Sequence, residues 1–134
     1  MLVLLAIGLI AATGVSLAML PHRAEAPPEP PIKEVSAQPA QIAVVDGGTL
    51  RLRDRVVLLQ GVAPPARGTM CRGSDGSSED CAAAATNALA ALVRGTPVAC
   101  RVTGADELGR PYAICRAGAV ELNRAMAPDR ASRG

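Results

Sequence analysis

Apolar and polar positions along the chain change period three times. Ile42-Ala43-Val44-Val45 and Thr49-Leu50-Arg51-Leu52-Arg53 flank Asp46-Gly47-Gly48, and the second run alternates apolar with charged side chains. That period of two predicts a half-buried strand, and the Asp-Gly-Gly turn predicts a hairpin. A third strand is expected from Arg55 to Val62, ended by Pro64-Pro65. Residues 66–78, rich in Gly, Ser and Asp, are expected to form a loop. The period then lengthens. Ser78-Glu79-Asp80 supplies a capping residue and acidic groups for a helix start, and Cys81, Ala85, Ala88, Leu89, Leu92 and Val93 fall on one helical face. Gly95 suits the position just past the helix end. Val98–Val102 and Pro111–Cys115 then predict a hairpin around residues 104–110.

Two segments precede this pattern. Residues 1–20 carry no charged side chain, and a helix of about 20 apolar residues spans a ~30 Å hydrocarbon core. The run lacks a leading Lys or Arg and exceeds the roughly 7–15 apolar residues of a signal peptide, so a membrane anchor is the expectation. Cleavage after Ser16-Leu17-Ala18 or Ala24-Glu25-Ala26 is the alternative, although Pro27 directly follows the second triplet. Residues 21–40 hold Pro21, Pro27, Pro28, Pro30, Pro31 and Pro39; too few apolar groups are present to offset ordering entropy, and an extended spacer is expected. The folded domain is placed at 41–127, with 128–134 as a tail.

Four cysteines stand at 71, 81, 100 and 115, without C-x-x-C spacing and with a single His in the chain, His22 in the spacer. An even number behind an export segment predicts disulfides and an oxidising compartment outside the cytoplasm. Arg23, after the apolar run, argues for the opposite orientation; it is one cation against four cysteines. In the final hairpin, pairing Arg101 with Ile114 and Val102 with Ala113 sets Cys100 opposite Cys115, within bridging distance. Cys71 then pairs with Cys81. A chain without Phe or Trp has particular need of such bridges.

Three stretches carry a family resemblance. Val45-Asp46-Gly47-Gly48-Thr49, then Gly61-Val62-Ala63-Pro64-Pro65-Ala66, then Leu108-Gly109-Arg110, resemble in order and spacing the V-D-G-D-T, R-L-x-G-I-D-A-P-E and Y-G-R motifs of the staphylococcal nuclease (thermonuclease) family. The helix ending and Glu121-Leu122-Asn123 extend the likeness over about residues 41–127. The resemblance implies an α+β fold, mostly β: a five-stranded OB-type barrel with one main helix and a short C-terminal helix.

The family's chemistry is calcium-dependent phosphodiester hydrolysis, and calcium requires six to eight hard oxygen ligands. Here the resemblance places Gly48 and Ala63 where the family has metal-binding aspartates. Ala66 stands in place of the candidate general base and Leu58 in place of an arginine. Arg110, Asp46 and Thr49 remain. Arg110 is expected to pair with Asp106 or Glu107, and Asp46 to serve the turn. Asp54, Asp75, Glu79 and Asp80 are not spaced to rebuild the site around Asp46. No cofactor is expected, the ancestral calcium site being lost.

Residues 41–134 carry twelve Arg against nine acidic residues, a net of +3, with Arg51, Arg53 and Arg55 close together. Single-strand binders on such barrels stack bases on aromatic rings, and Tyr112 is the sole aromatic residue; nucleic acid is therefore a disfavoured partner. The expected function is that of a noncatalytic, membrane-tethered envelope module binding a protein or other partner. A weak or altered calcium-dependent phosphodiesterase and a nucleic-acid-binding barrel are the alternatives.

Overall fold

A computed structural model describes residues 14, 18, 24–28 and 31–127. The anchor or signal segment therefore lies almost wholly outside the described residues, as does the 128–134 tail. Among the described residues no helix is long and apolar enough to cross a membrane.

Among the described residues, nine strands and two α-helices make a mixed α+β fold. Strand β1 (Glu34–Ala37) leads through a single 3₁₀ turn at Pro39–Gln41 into β2 (Ile42–Asp46), and β3 (Thr49–Leu52) and β4 (Arg55–Leu59) follow. A separate hairpin, β5 (Met70–Arg72) with β6 (Ser78–Asp80), precedes helix α1 (Cys81–Val93). The long strands β7 (Val98–Ala105) and β8 (Pro111–Ala117), the short β9 (Val120–Glu121) and helix α2 (Leu122–Met126) complete the chain. The main sheet runs β1-β7-β8-β4-β3-β2, with β9 also on β8. Every pairing is antiparallel except β4 with β8.

Alternation along β3 has the expected outcome: Leu50 and Leu52 are fully buried and Arg51 is exposed. With Val57, Leu59, Val98, Ala113 and Cys115 they form one apolar layer, covered by Leu89 and Val93 of α1 and Leu122 of α2. The β7–β8 register sets Cys100 opposite Cys115, with Arg101 on Ile114 and Val102 on Ala113. Both expected disulfides form, Cys100–Cys115 across Cα atoms 4.0 Å apart and Cys71–Cys81 across 5.3 Å. Disulfides suit an oxidising, extracytoplasmic setting.

Several expectations need correction. The main sheet has seven strands and is not closed, where a five-stranded OB-type barrel was expected. Strand β1 falls inside the stretch expected to be spacer. Its Val35 and Ala37 point into the core and Glu34 and Ser36 outward, an alternation short enough for the surrounding prolines to mask. The expected loop at 66–78 contains β5 and part of β6. Helix α1 begins at Cys81, so Ser78 and Glu79 belong to β6 and only Asp80 caps, its side chain accepting from the Ala83 N–H. Ala88 is exposed, because α1 meets the sheet along a narrower stripe than its apolar face. The third strand stops at Leu59, where the chain turns through Gly61.

Candidate functional site

Residues of the first two motifs, Val45–Thr49 and Gly61–Ala66, lie together at one end of the sheet. Asp46 pairs with Thr49 across Gly47-Gly48, and a bulge between Val44 and Asp46 turns Val45 outward. The Asp46 carboxylate closes the turn by accepting from the Gly48 N–H at 2.8 Å. Gly48 lies against the next motif: a Cβ there would sit 3.1 Å from Pro64 Cδ and 3.3 Å from both Val62 Cγ1 and the Val62 carbonyl oxygen. Thr49, 7% exposed, pairs with Leu58, and Leu58 with Tyr112, so the three occupy one row across β3, β4 and β8.

Beside this contact lies a cleft of about 480 Å³, walled by Val45 and Asp46, by Pro64, Pro65 and Arg67, and by the first turns of α1. Its two carboxylates are already engaged. Asp46 holds its turn, while Asp80 accepts from Ala83 N at 3.0 Å and Gly68 N at 3.3 Å. The Ala83 N–H is the largest influence holding the Asp80 carboxyl below its usual range. Ala63 and Ala66 are exposed and offer only methyl groups. Among the described residues no three His, Cys, Asp or Glu side chains gather as a metal site would require.

Arg110 does not line this cleft. It sits at the β7–β8 tip, its Nε donating to Asp106 Oδ2 at 2.7 Å, while its backbone N–H donates to Asp106 Oδ1 at 2.8 Å. Asp106 is only 12% exposed. Desolvation works to raise its pKa, but the hydrogen bonds and charge of Arg110, aided by the Leu108 N–H, outweigh it and hold the carboxyl below its ordinary value. Asp75 is likewise lowered, first by the Ser77 hydroxyl and then by the Ser77 N–H, which fixes the β5–β6 turn. Arg51 and Arg55 are exposed, and Arg53 occupies the β3–β4 turn with φ 60°.

Nothing in the pattern of the sequence assigns Asn123 a structural task, yet its buried amide makes three hydrogen bonds near this end of the sheet. It accepts from Cys115 N at 2.8 Å and donates to the Gln60 and Ala113 carbonyls, each at 2.9 Å. The available signal was a polar residue at a core-facing position directly after Leu122.

Gly47 fixes how closely α1 approaches the site. A Cβ at residue 47 would lie 2.5 Å from Ala85 Cβ and 3.2 Å from the Ala85 carbonyl carbon. Gly47→Ala is expected to cost about 1–3 kcal/mol by forcing helix and turn apart, read as a lower urea midpoint. Ala85→Gly in the same chain should recover part of that loss; strictly additive costs would mean that the contact is not the cause.

No family model matches the chain, and a search of curated proteins finds no match.

Proposed function

We propose that this chain is a noncatalytic module of the cell envelope, tethered to the membrane by residues 1–20. It carries a thermonuclease-like, OB-type frame and binds a protein or other envelope partner. The observation that carries this reading is the contact of Gly48 with Val62 and Pro64. Residues of the first two motifs lie against each other there, and they offer glycine and hydrocarbon where a metal ion would need oxygen.

The frame itself has independent support. Segment 34–46 borders both edges of the sheet, β1 pairing with β7 and β2 with β3. The corner at Pro39–Gln41 spans the seam between them, and Gln41 accepts from the Arg53 N–H at 2.8 Å. Such an arrangement fits a partly open OB-type barrel whose first strand is broken in two. Engagement of Arg110 by Asp106 fits a side chain no longer held for phosphate.

The test is cleavage of single-stranded DNA and RNA by the full chain purified in detergent, with calcium or a chelator. With Asp46 and Asp80 engaged by backbone N–H groups and Ala66 in place of the base, no calcium-dependent cleavage is expected. Calcium should also leave the melting temperature unchanged, since a ligand bound only to the native state would raise it. A calcium-dependent rate abolished by Asp46→Ala would overturn the proposal.

A further inference from the structure

We infer that the end of the domain bearing Ile32, Leu108 and Pro111 is a bilayer-docking surface whose occupant is the lipid interface itself. The inference rests on the membrane-tether reading of residues 1–20. A groove of about 540 Å³ opens here between β1 and the β7–β8 tip, with Ile32, Val102, Ala105 and Pro111 among its apolar walls. Lys33 and Arg55 are the charged residues lining it. Next to the groove residue Gly109 stands Leu108, 79% exposed at the tip of a turn closed by Gly109 N to the Asp106 carbonyl at 3.0 Å. Ile32 is 37% exposed. Of the acidic residues in the turn, Asp106 is neutralised by Arg110, and Glu107 is the neighbour of Leu108 that faces water.

An exposed leucine beside an apolar groove, bordered by long cationic side chains, suits the boundary between headgroups and acyl chains. The lysine and arginine stems cover apolar surface while their charged ends remain among the phosphates. The path of the chain selects the bilayer over other occupants. Residues 21–31, five of them Pro, reach at most about 35 Å when extended at ~3.1 Å per residue. They enter the domain at this groove, through Pro31 and Ile32. The membrane is thereby held at high effective concentration against the end that exposes Leu108, whereas a second copy must be met by diffusion.

The chain contains no Trp and one Tyr, so a single introduced indole reports without background. Leu108→Trp in the full chain, reconstituted into phosphatidylcholine–phosphatidylglycerol vesicles with brominated acyl chains, is expected to show blue-shifted emission quenched by bromine. Val120→Trp, placed at the opposite end of β8 where Val120 is 42% exposed, should keep the emission of an indole in water. A solvated, unquenched Leu108→Trp in protein that co-floats with the vesicles overturns the docking surface and leaves the tether standing. Failure to co-float overturns both. A blue shift that appears without vesicles and grows with protein concentration assigns the groove to a second copy and overturns the bilayer as its occupant.

Discussion

Replacing Cys100 and Cys115 together by Ala is expected to lower the melting temperature by about 12–24 °C. The bridge closes a separation of 15 residues, worth about 3 kcal/mol in lost chain entropy of the unfolded state. In a domain of this size each kcal/mol corresponds to roughly 4–8 °C. Both cysteines lie in the core, 3% and 0% exposed, between the two longest strands. The Cys71–Cys81 bridge makes the useful comparison. Cys71 is exposed, and the β5–β6 hairpin that it fastens belongs to a separate two-stranded sheet. Its removal should free that hairpin locally and lower the global transition less. Equal losses for the two double variants, measured by circular dichroism, would contradict this division between a core bridge and a peripheral one.

Asn123→Ala is expected to destabilise the domain by about 3 kcal/mol, which would be large for a substitution in a five-residue helix. The change leaves the Cys115 N–H without its acceptor and removes a donor from the Gln60 and Ala113 carbonyls. These groups lie where the sheet is held least well. Parallel pairing between β4 and β8 extends over two residue pairs, Leu58 with Tyr112 and Leu59 with Ala113. Beyond them, the Gln60 N–H to Ala113 carbonyl bond at 3.0 Å and the Asn123 amide carry the junction. Urea denaturation decides it: a reduced midpoint with an unchanged m-value is predicted, and a loss below about 0.5 kcal/mol would show that the amide is dispensable.

What was legible in the sequence was local. Leu50-Arg51-Leu52 declares its buried face through a period of two, and the register of β7 on β8 follows once Cys100 and Cys115 are required to meet. A pairing of Arg110 with Asp106 or Glu107 was visible from their places in the hairpin, and the structure selects Asp106. Strand β1 was hidden because Val35 and Ala37 are its only buried residues and prolines lie on both sides. It becomes a strand through β7, more than sixty positions later in the chain. The β5–β6 hairpin was hidden for another reason: nearly all of it is exposed, so no apolar alternation marks it. Asn123 could not be assigned its partners from sequence, since one of them, Gln60, is 63 residues away. At the candidate site, the resemblance set Gly48 and Ala63 in the places of metal-binding aspartates, but the approach of Pro64 to Gly48 depends on the path of the chain through Gly61 and was not legible in motif order.

The central claim is that a nuclease-like frame remains while its chemistry has gone, and calcium calorimetry on a restored variant tests it most directly. Gly48→Asp, Leu58→Arg, Ala63→Asp and Ala66→Glu together return the oxygens and the guanidinium that the resemblance places there, while Arg110 stays on Asp106 outside the cleft. Crowding at Gly48 means that Pro64 must give by a few tenths of an ångström to admit the new carboxylate. Weak binding is therefore expected, and a site loose by ~1 Å can lose ~10²-fold in rate. Calcium binding at millimolar concentration is expected of the folded quadruple variant and none of the natural chain. A quadruple variant that folds by circular dichroism yet takes up no calcium, or a natural chain that binds it, would contradict the account.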